Sequence, residues 1–342
     1  RQDLLLTTLT GAWAREFEPV TAPVRRGRTV FGSVSGTSGH YCNPFFALSD
    51  PNTGEHSGEI YGFNLIYSGS YAASVEADSY GSLRIMAGVQ SEGFHWTLAP
   101  GESFLTPQAV LTFSIEGRNG LRHNMHSFVT SHILPPHWRE KPRPILVNNW
   151  EATYFDFTPR KLRALAAKAA GLGAELFVLD DGWFGRRTND TKGLGDFDPN
   201  QKKLPSGLDG LAQELKEKGL SFGLWVEPEM VSQDSALYEE HPDWAVVSPG
   251  VSPSLGRNQL VLDLCRKEVR DYLITQLNTL LDSAPICYVK WDMNRHHTDR
   301  FSAVLLEQGR FTHTWTLGLY QVLQAVTAAH PEVLFEGCAS GG

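Results

Sequence analysis

The residues Ile286–Arg295 have the sequence ICYVKWDMNR, a short apolar run followed by polar and aromatic side chains. The run predicts a buried strand with Lys290, Asp292 and Asn294 at its end. Because side chains alternate faces along a strand, Lys290 and Asp292 project to the same side. An adjacent ammonium would keep the Asp292 carboxylate ionised, and an ionised carboxylate beside an aromatic wall suits attack on the anomeric carbon of a sugar. A structural ion pair at a strand end is the alternative interpretation.

Other apolar runs in the second part of the chain also stop at polar or aromatic clusters. They are ILVNNWE (Ile145–Glu151), LFVLDDGWF (Leu176–Phe184), FGLWVEPEM (Phe222–Met230), LVLDL (Leu260–Leu264) and VLFEGCASGG (Val333–Gly342). Amphipathic segments that predict helices lie between them, at residues 159–171, 208–218, 267–281 and 315–329. Strands that alternate with helices in this way indicate a parallel sheet.

Acids at the carboxyl ends of these strands favour a (β/α)8 TIM barrel, whose active site is built at that end. A doubly wound open sheet is the alternative, and we disfavour it because no Gly-rich phosphate loop follows the first strand. A complete barrel has eight strands. We therefore expect a barrel truncated after about six strands, with both chain ends being cuts in a longer protein.

The N-terminal part of the chain has a different pattern. Residues 1–134 contain short β-rich runs separated by Gly, Pro and Ser, which predict an antiparallel β-sandwich whose start is missing. The predicted strands are residues 61–69, 71–77, 82–89, 94–100 and 109–117, and residues 121–133 predict a connecting helix. The Pro-rich residues 135–144 are interpreted as a linker, and residues 145–342 as the catalytic barrel.

Composition narrows the class of partner and the compartment. The 342 residues carry a formal net charge of −8, which argues against nucleic acid or an anionic membrane as partner. No apolar run approaches the roughly 20 residues that a membrane helix needs. The cysteines Cys42, Cys265, Cys287 and Cys338 have no paired spacing and suit a reduced, cytoplasmic protein. A secreted form stays open.

The adjacent acids Asp180 and Asp181, followed by Gly182 and Trp183, form the second strong cluster. Neighbouring acids at a strand end point in different directions and can hold neighbouring hydroxyls of one sugar ring. A loop-capping role for Asp181 is the alternative. Trp150 is predicted as a wall of the same pocket, with barrel-top packing as its alternative.

Weaker candidates lie at other strand ends. Arg257 is either a surface charge or a hydrogen-bond donor to substrate. Glu227 and Glu229 could act as an acid and a base or bind metal, but no histidine lies at helical spacing from them, so no metal site is expected. The neighbouring residues His296 and His297 predict a solvated loop. The tight turn Gly341–Gly342 suggests that backbone approaches a ligand closely.

Taken as a set and in this order, the motifs NNWEATYFDF, LFVLDDGWF, GLWVEPEMVS, GRNQLVLDL, YVKWDMNRH and FEGCASGG resemble the α-galactosidases of glycoside hydrolase family 36. The segments NPFFAL and GEIYGFNLIYSGSY resemble the β-sandwich domain of that family. The resemblance implies retaining hydrolysis of terminal α-galactosides, such as melibiose and raffinose, without metal or cofactor. It also implies that the full-length protein is a homo-oligomer, possibly a tetramer.

By motif, Asp292 corresponds to the nucleophile of that family. The predicted substrate-binding residues are Trp150, Asp180, Asp181, Trp183, Arg257, Lys290, Asn294, Cys338, Ser340 and Gly341. Cys338 and Ser340 belong to this set as pocket-lining residues, since neither has a histidine nearby that would make it a nucleophile.

In the family that this chain resembles, the general acid/base is an aspartate after the CASGG motif. We expect the corresponding residue to lie beyond Gly342. Glu227, Glu229 and Glu336 are not expected to replace it. The chain as printed is therefore expected to be inactive. The alternatives are an α-N-acetylgalactosaminidase, a galactosyltransferase related to raffinose synthases, or a non-catalytic carbohydrate-binding protein.

Overall fold

The computed structural model describes residues 3–339. Its N-terminal part consists of antiparallel strands, and its C-terminal part consists of parallel strands alternating with helices. The predicted order, a β-sandwich followed by a (β/α) barrel, is confirmed. Within the described range, no helix is both long enough and apolar enough to cross a bilayer.

Two antiparallel sheets make up the N-terminal part. The strands are β1 (Leu5–Ala12), β2 (Arg15–Pro23), β3 (Gly27–Gly32), β4 (Phe45–Ser49), β5 (Ile60–Ile66), β6 (Tyr71–Ala77), β7 (Leu83–Val89) and β8 (Gln108–Ser114). One sheet has the order β2-β1-β4-β5-β8 and the other β3-β6-β7. A shared core joins them, with Leu6 and Phe46 from the first sheet against Tyr71 and Val75 from the second. This buried layer between two sheets defines a β-sandwich.

The predicted strand at residues 94–100 is wrong. This segment has no strand partner; its backbone N–H at His95 donates instead to the carbonyl of Gly309, at 3.1 Å. The ring of Trp96 packs edge-on against Phe104 at 5.0 Å and against His313 at 5.5 Å. Its aromatic residues therefore cover a helix of the second part rather than extend a sheet.

A helix connects the two parts, as predicted. Helix α1 (Gly117–Phe128) continues into one π-helical turn at Val129–Ile133. The following residues up to 144 contain only a short 3-10 turn at Pro136–Trp138. The division of the chain at residues 135–144 stays a prediction.

Within residues 3–339, the second part is a partial barrel of five parallel strands. Its strands and helices are β9 (Leu146–Asn148), α2 (Trp150–Thr153), α3 (Pro159–Gly171), β10 (Leu176–Leu179), α4 (Gly207–Lys216), β11 (Ser221–Val226), β12 (Met230–Val231), α5 (Ala236–Glu240), β13 (Leu260–Val261), α6 (Lys267–Asp282), β14 (Ile286–Asp292), α7 (Phe311–Ala329) and β15 (Leu334–Cys338). The hydrogen-bonded order β9-β10-β11-β14-β15 follows the chain, so the carboxyl ends of all five strands lie at one edge.

The expectation of six barrel strands needs correction. Leu260–Val261 pairs antiparallel with Met230–Val231 in a separate two-stranded sheet. The backbone N–H of Leu262 donates to the carbonyl of Glu229 at 2.8 Å, which holds this ribbon above β11. A short buried apolar run has the same sequence pattern in a barrel strand and in a two-stranded ribbon. The pattern alone therefore does not distinguish these two structures.

Local signals explain where the long helices begin and how they pack. Thr158 caps α3 by accepting a hydrogen bond from the N–H of Lys161, and Pro159 takes the first helical position. Leu162, Ala166 and other apolar residues of the helices are buried against the parallel sheet in one large core. This core fixes the strand ends that carry the polar clusters.

The loop after β14 is held by the sandwich, and the predicted solvated histidine loop is wrong. The N–H of His297 donates to the carbonyl of Ser35 at 2.9 Å, and His296 Nδ1 lies 2.7 Å from Thr37 Oγ1. The buried ring of His297 packs edge-on against Trp315 at 4.3 Å. Burial lowers its pKa to about 3, so the ring is neutral at physiological pH.

Candidate active site

Asp292 ends strand β14 and is the centre of the polar cluster. Its side chain is oriented by three N–H donors: Met293 N at 3.0 Å to Oδ1, Trp225 Nε1 at 3.1 Å to Oδ2, and Asn294 Nδ2 at 2.7 Å to Oδ2. The residue is only 6% exposed. An ionised carboxylate accepts hydrogen bonds and donates none, so this set of donors matches the ionised form.

Lys290 lies on the same side of β14, but its direct partner differs from the one that we predicted. Its Nζ donates to Asp180 Oδ2 at 2.9 Å rather than to Asp292. Burial lowers the pKa of this ammonium, but the charge of Asp180 and, more weakly, that of Asp292 raise it more, and the net shift is upward. Lys290 is therefore a fixed positive charge between the two acids.

Asp180 directly follows strand β10, and its carboxylate accepts three hydrogen bonds, including the one from Lys290. Its Oδ2 also accepts from Asn148 Nδ2 at 2.6 Å, and its Oδ1 accepts from the N–H of Asp181 at 2.8 Å. Its own N–H donates to Asn149 Oδ1 at 2.7 Å. Sequence reasoning missed Asn148, although its position in the NNW motif at the neighbouring strand end could have indicated it.

Asp181 is buried and paired with Arg187, a residue that sequence reasoning also missed. The guanidinium donates from Nε to Oδ1 at 2.8 Å and from Nη2 to Oδ2 at 2.6 Å. Burial raises the pKa of Asp181, although the adjacent Arg187 opposes that shift. Both carboxylate oxygens retain acceptor capacity beyond these two bonds, so a sugar hydroxyl can still be a third partner.

The two predicted tryptophans are placed differently. Trp183 is 0% exposed and donates its Nε1–H to the carbonyl of Trp225 at 2.9 Å. This position in the core contradicts the predicted sugar contact of Trp183. Trp150 is half-buried, with Tyr154 and Phe155 edge-on to it at 5.1 and 5.0 Å.

Arg257 and Asn294 connect to the nucleophile candidate through one chain of hydrogen bonds. Arg257 Nη1 donates to Asn294 Oδ1 at 3.0 Å, and Asn294 in turn donates to Asp292. Arg257 and Asn258 both have left-handed backbone, with φ of 49° and 63°. Cys338 lies opposite Asp292 in the β14–β15 register. Ser340 and Gly341 lie outside the described residues.

Glu227 and Glu229 follow strand β11 and contact the end of strand β14. Glu227 Oε1 accepts from the N–H of Asn294 at 2.6 Å, and Glu229 accepts from Trp291 Nε1 at 2.9 Å. Burial, reinforced by the charge of Asp292, raises the pKa of Glu227 to about 8, and burial raises the pKa of Glu229 to about 7. Within residues 3–339, no group of three His, Cys, Asp or Glu side chains could hold a metal ion.

These two buried acids predict a pH-dependent stability. A carboxyl whose pKa rises on folding binds its proton more tightly in the folded state, so the free energy of unfolding falls as pH rises from the unfolded pKa to the folded pKa. From about pH 7 to about pH 8 we expect a loss of about 1 kcal/mol, measured by urea denaturation of the natural-length protein. Histidine charging acts below this window.

Replacing Glu227 by glutamine is expected to flatten that pH dependence. The matched control is Glu214→Gln, because Arg163 lowers the pKa of Glu214 and keeps it ionised throughout the window. An unchanged slope in the Glu227→Gln protein would contradict the assignment of a raised pKa to Glu227.

The chain matches two family models that together span most of its length. Residues 1–99 match the model described as the glycosyl hydrolase family 36 N-terminal domain, and residues 103–342 match the model described as melibiase. Alpha-galactosidase AgaA of Geobacillus stearothermophilus is 49% identical over 336 residues, which cover 98% of this chain and 46% of AgaA. Alpha-galactosidase Mel36A of Lactobacillus acidophilus is 45% identical to this chain, and the match covers 47% of Mel36A.

Solved structures show the same fold. A variant of the Geobacillus AgaA in complex with stachyose superposes with a TM-score of 0.98 at 48% identity, covering 100% of this chain and 48% of that chain. A variant in complex with raffinose gives a TM-score of 0.97 at 48% identity, with 99% and 47% covered. The chain thus spans about half the length of the curated relatives that it matches.

Proposed function

The chain belongs to glycosyl hydrolase family 36, and on that premise we propose that the whole protein is a retaining α-galactosidase. The observation that carries this proposal is the Asp292 carboxylate, buried at a barrel strand end and oriented by three donors. Asp180 lies directly after strand β10, where Lys290 and Asn148 hold its carboxylate, and it would bind hydroxyls of the galactose ring.

In the proposed reaction, an oxygen of Asp292 attacks the anomeric carbon and forms a galactosyl ester, while the bond from that carbon to the leaving oxygen breaks. A general acid gives a proton to the leaving oxygen. Water then attacks the same carbon, loses a proton to the same group and releases Asp292 as a carboxylate. This double displacement needs a second carboxyl group about 5–5.5 Å from the first, a role that we assign to none of Glu227, Glu229 and Glu336.

We propose terminal α-galactosides of the raffinose series as substrates, because relatives of the same fold bind raffinose and stachyose. A buried polar site discriminates strongly among sugars that differ in one hydroxyl, since a missing partner leaves a buried group unpaired. Homo-oligomeric assembly and a cytoplasmic location are further proposals.

The test is hydrolysis of an aryl α-galactoside by the natural-length protein, with the aryl α-N-acetylgalactosaminide beside it. We expect cleavage of the galactoside only. Proton NMR of the first product should show α-galactose, the outcome of two inversions. Release of β-galactose would contradict the nucleophile, and cleavage of neither sugar by a folded protein would contradict the proposed function.

A further inference from the structure

Two buried polar side chains, those of Glu227 and Gln259, contact the surroundings of Asp292 and have no part in the proposed reaction. Glu227 directly follows strand β11 and is 4% exposed, and Gln259 directly precedes strand β13 and is 2% exposed. Gln259 Nε2 donates to Glu227 Oε2 across 3.4 Å, which is a long hydrogen bond. This pair links the end of a barrel strand to the two-stranded ribbon above it.

One member of the pair holds the backbone of Asn294. Glu227 Oε1 accepts from the N–H of Asn294 at 2.6 Å, and Nδ2 of the same asparagine donates to Asp292 Oδ2 at 2.7 Å. The position of the Asn294 backbone determines where its side-chain amide can reach. Glu227 is therefore separated from the nucleophile candidate by a single residue.

The other member of the pair holds the turn that carries Arg257. The N–H of Gln259 donates to the carbonyl of Gly256 at 3.0 Å, so Arg257 and Asn258 are the central residues of a tight turn. Their φ angles of 49° and 63° are left-handed, a conformation that costs energy outside glycine and persists only where the surroundings hold it. Arg295 Nη1 donates to the carbonyl of Gln259 at 2.6 Å, so Gln259 is held at its backbone as well as at its side chain.

Both connections meet at Asn294. Arg257 Nη1 donates to Asn294 Oδ1 at 3.0 Å, while Glu227 accepts the Asn294 N–H. The amide of Asn294 is thus held from two sides, with its Nδ2 directed at Asp292. Such support matters for catalysis, because a misplacement of about 1 Å in an active site can cost about 100-fold in rate.

The pair lowers the stability of the fold, which two apolar side chains at these positions would not do. Gln259 Oε1 is buried and has no hydrogen-bond donor among the described residues, and a buried unpaired acceptor costs about 1–3 kcal/mol. Burial, reinforced by the charge of Asp292, raises the pKa of Glu227 to about 8, so its carboxyl group is mostly protonated at neutral pH. Side chains that break a local rule of stability are expected mainly at functional sites.

We propose that Glu227, supported by Gln259, is a positioning residue for the nucleophile: it holds Asn294, and through Asn294 it fixes the direction of the Asp292 carboxylate. The inference rests on the proposed function. In this role Glu227 supplies an acceptor oxygen, and neither its charge nor its proton is used. Its amide analogue should therefore replace it.

The experiment measures kcat/KM on an aryl α-galactoside in variants of the natural-length protein, per galactose-binding site counted by calorimetry. Glu227→Ala removes the acceptor, and we expect kcat/KM to fall about 10- to 100-fold while the Kd of galactose stays within about threefold. Glu227→Gln keeps an oxygen for the Asn294 N–H and should recover kcat/KM to within about threefold of the wild type. Gln259→Leu leaves that oxygen but removes its support, so a fall of about threefold to tenfold is expected.

The matched control is Asp263→Ala, which removes another buried carboxyl group whose pKa is raised by burial. Asp263 accepts from Ser302 Oγ and from the N–H of Cys265. We expect this variant to unfold at a lower temperature and to keep the wild-type kcat/KM. A fall in kcat/KM as large as that of Glu227→Ala would mean that loss of any buried carboxyl group disturbs the site, and would overturn the inference.

Three further results would overturn it. The first is a wild-type kcat/KM for Glu227→Ala or, where that protein does not fold, for Gln259→Leu. The second is an equal loss in Glu227→Ala and Glu227→Gln, which would mean that the proton or charge of Glu227 is used. The third is a rise in the Kd of galactose that matches the fall in kcat/KM, which would make Glu227 a sugar-binding residue. All three leave the proposed function standing, whereas a wild-type protein that hydrolyses no galactoside would end both.

Discussion

Replacing Asp292 by asparagine is expected to lower kcat on an aryl α-galactoside by roughly 1,000-fold or more, the scale seen when a catalytic nucleophile is removed. The amide has nearly the shape of the carboxylate, and its oxygen can still accept from Trp225 and Asn294. The amide nitrogen then faces the N–H of Met293, so we expect the loss of about one hydrogen bond and about 1 kcal/mol of stability. Galactose binding, measured by calorimetry, should persist.

Two further variants separate the nucleophile from the residues that bind sugar. Asp180→Asn should weaken galactose binding, because the amide cannot balance the ammonium of Lys290 as the carboxylate does. Asp292→Gly with added azide should recover turnover and yield β-galactosyl azide, since the anion attacks from the face that the carboxylate occupied. A normal kcat for Asp292→Asn would falsify the assignment of Asp292.

The architecture could be predicted from the sequence because its signals are local. The apolar runs ending in NNW, DDGW and KWD coincide with β9, β10 and β14, and the cap at Thr158 marks the start of α3. Each of these signals depends on a few neighbouring residues. The same is true of β6, for which the predicted bounds, 71–77, equal those observed.

Features that depend on distant partners were predicted poorly. The strands β1 to β4 were not predicted. In β2 and β3 most side chains are exposed on both faces, so their sequences give little apolar alternation. The partner of Lys290 was predicted within its own strand, whereas the strand order brings Asp180, 110 residues earlier, into contact with it. Trp183 is buried beside its neighbour Phe184 and donates its Nε1–H to the carbonyl of Trp225, 42 residues later, and the local sequence does not signal that second contact.

The neighbouring arginines Arg186 and Arg187 illustrate why sequence alone could not rank the charged residues. They look alike in the GRR segment, yet Arg187 is buried with both guanidinium edges occupied, whereas Arg186 is exposed and pairs with Asp234 and Glu239 on the surface. The ring of Phe155 lies 5.4 Å from the Arg187 guanidinium and covers it from solvent. Burial, rather than residue type, makes one of the two part of the site.

Replacing Arg187 by methionine is therefore expected to destabilise the protein by about 3–5 kcal/mol, because it leaves the buried Asp181 carboxylate without its charge partner. Without the guanidinium, the pKa of Asp181 should rise further, since only burial then acts on it strongly. A carboxyl group that becomes protonated can no longer accept hydroxyl bonds with both oxygens, so KM for the galactoside should rise more than kcat falls. Calorimetric unfolding and steady-state kinetics of the natural-length protein measure both effects.

The matched control is Arg186→Met, which removes two solvent-exposed ion pairs, with Asp234 and Glu239, from the adjacent residue. Exposed pairs contribute about 0–1 kcal/mol, so the unfolding temperature should barely move and KM should stay at the wild-type value. Equal losses in the two variants would mean that the buried pair has no special role. A large loss confined to Arg187→Met, with a raised KM, would support Asp181 as a sugar-binding residue whose charge depends on Arg187.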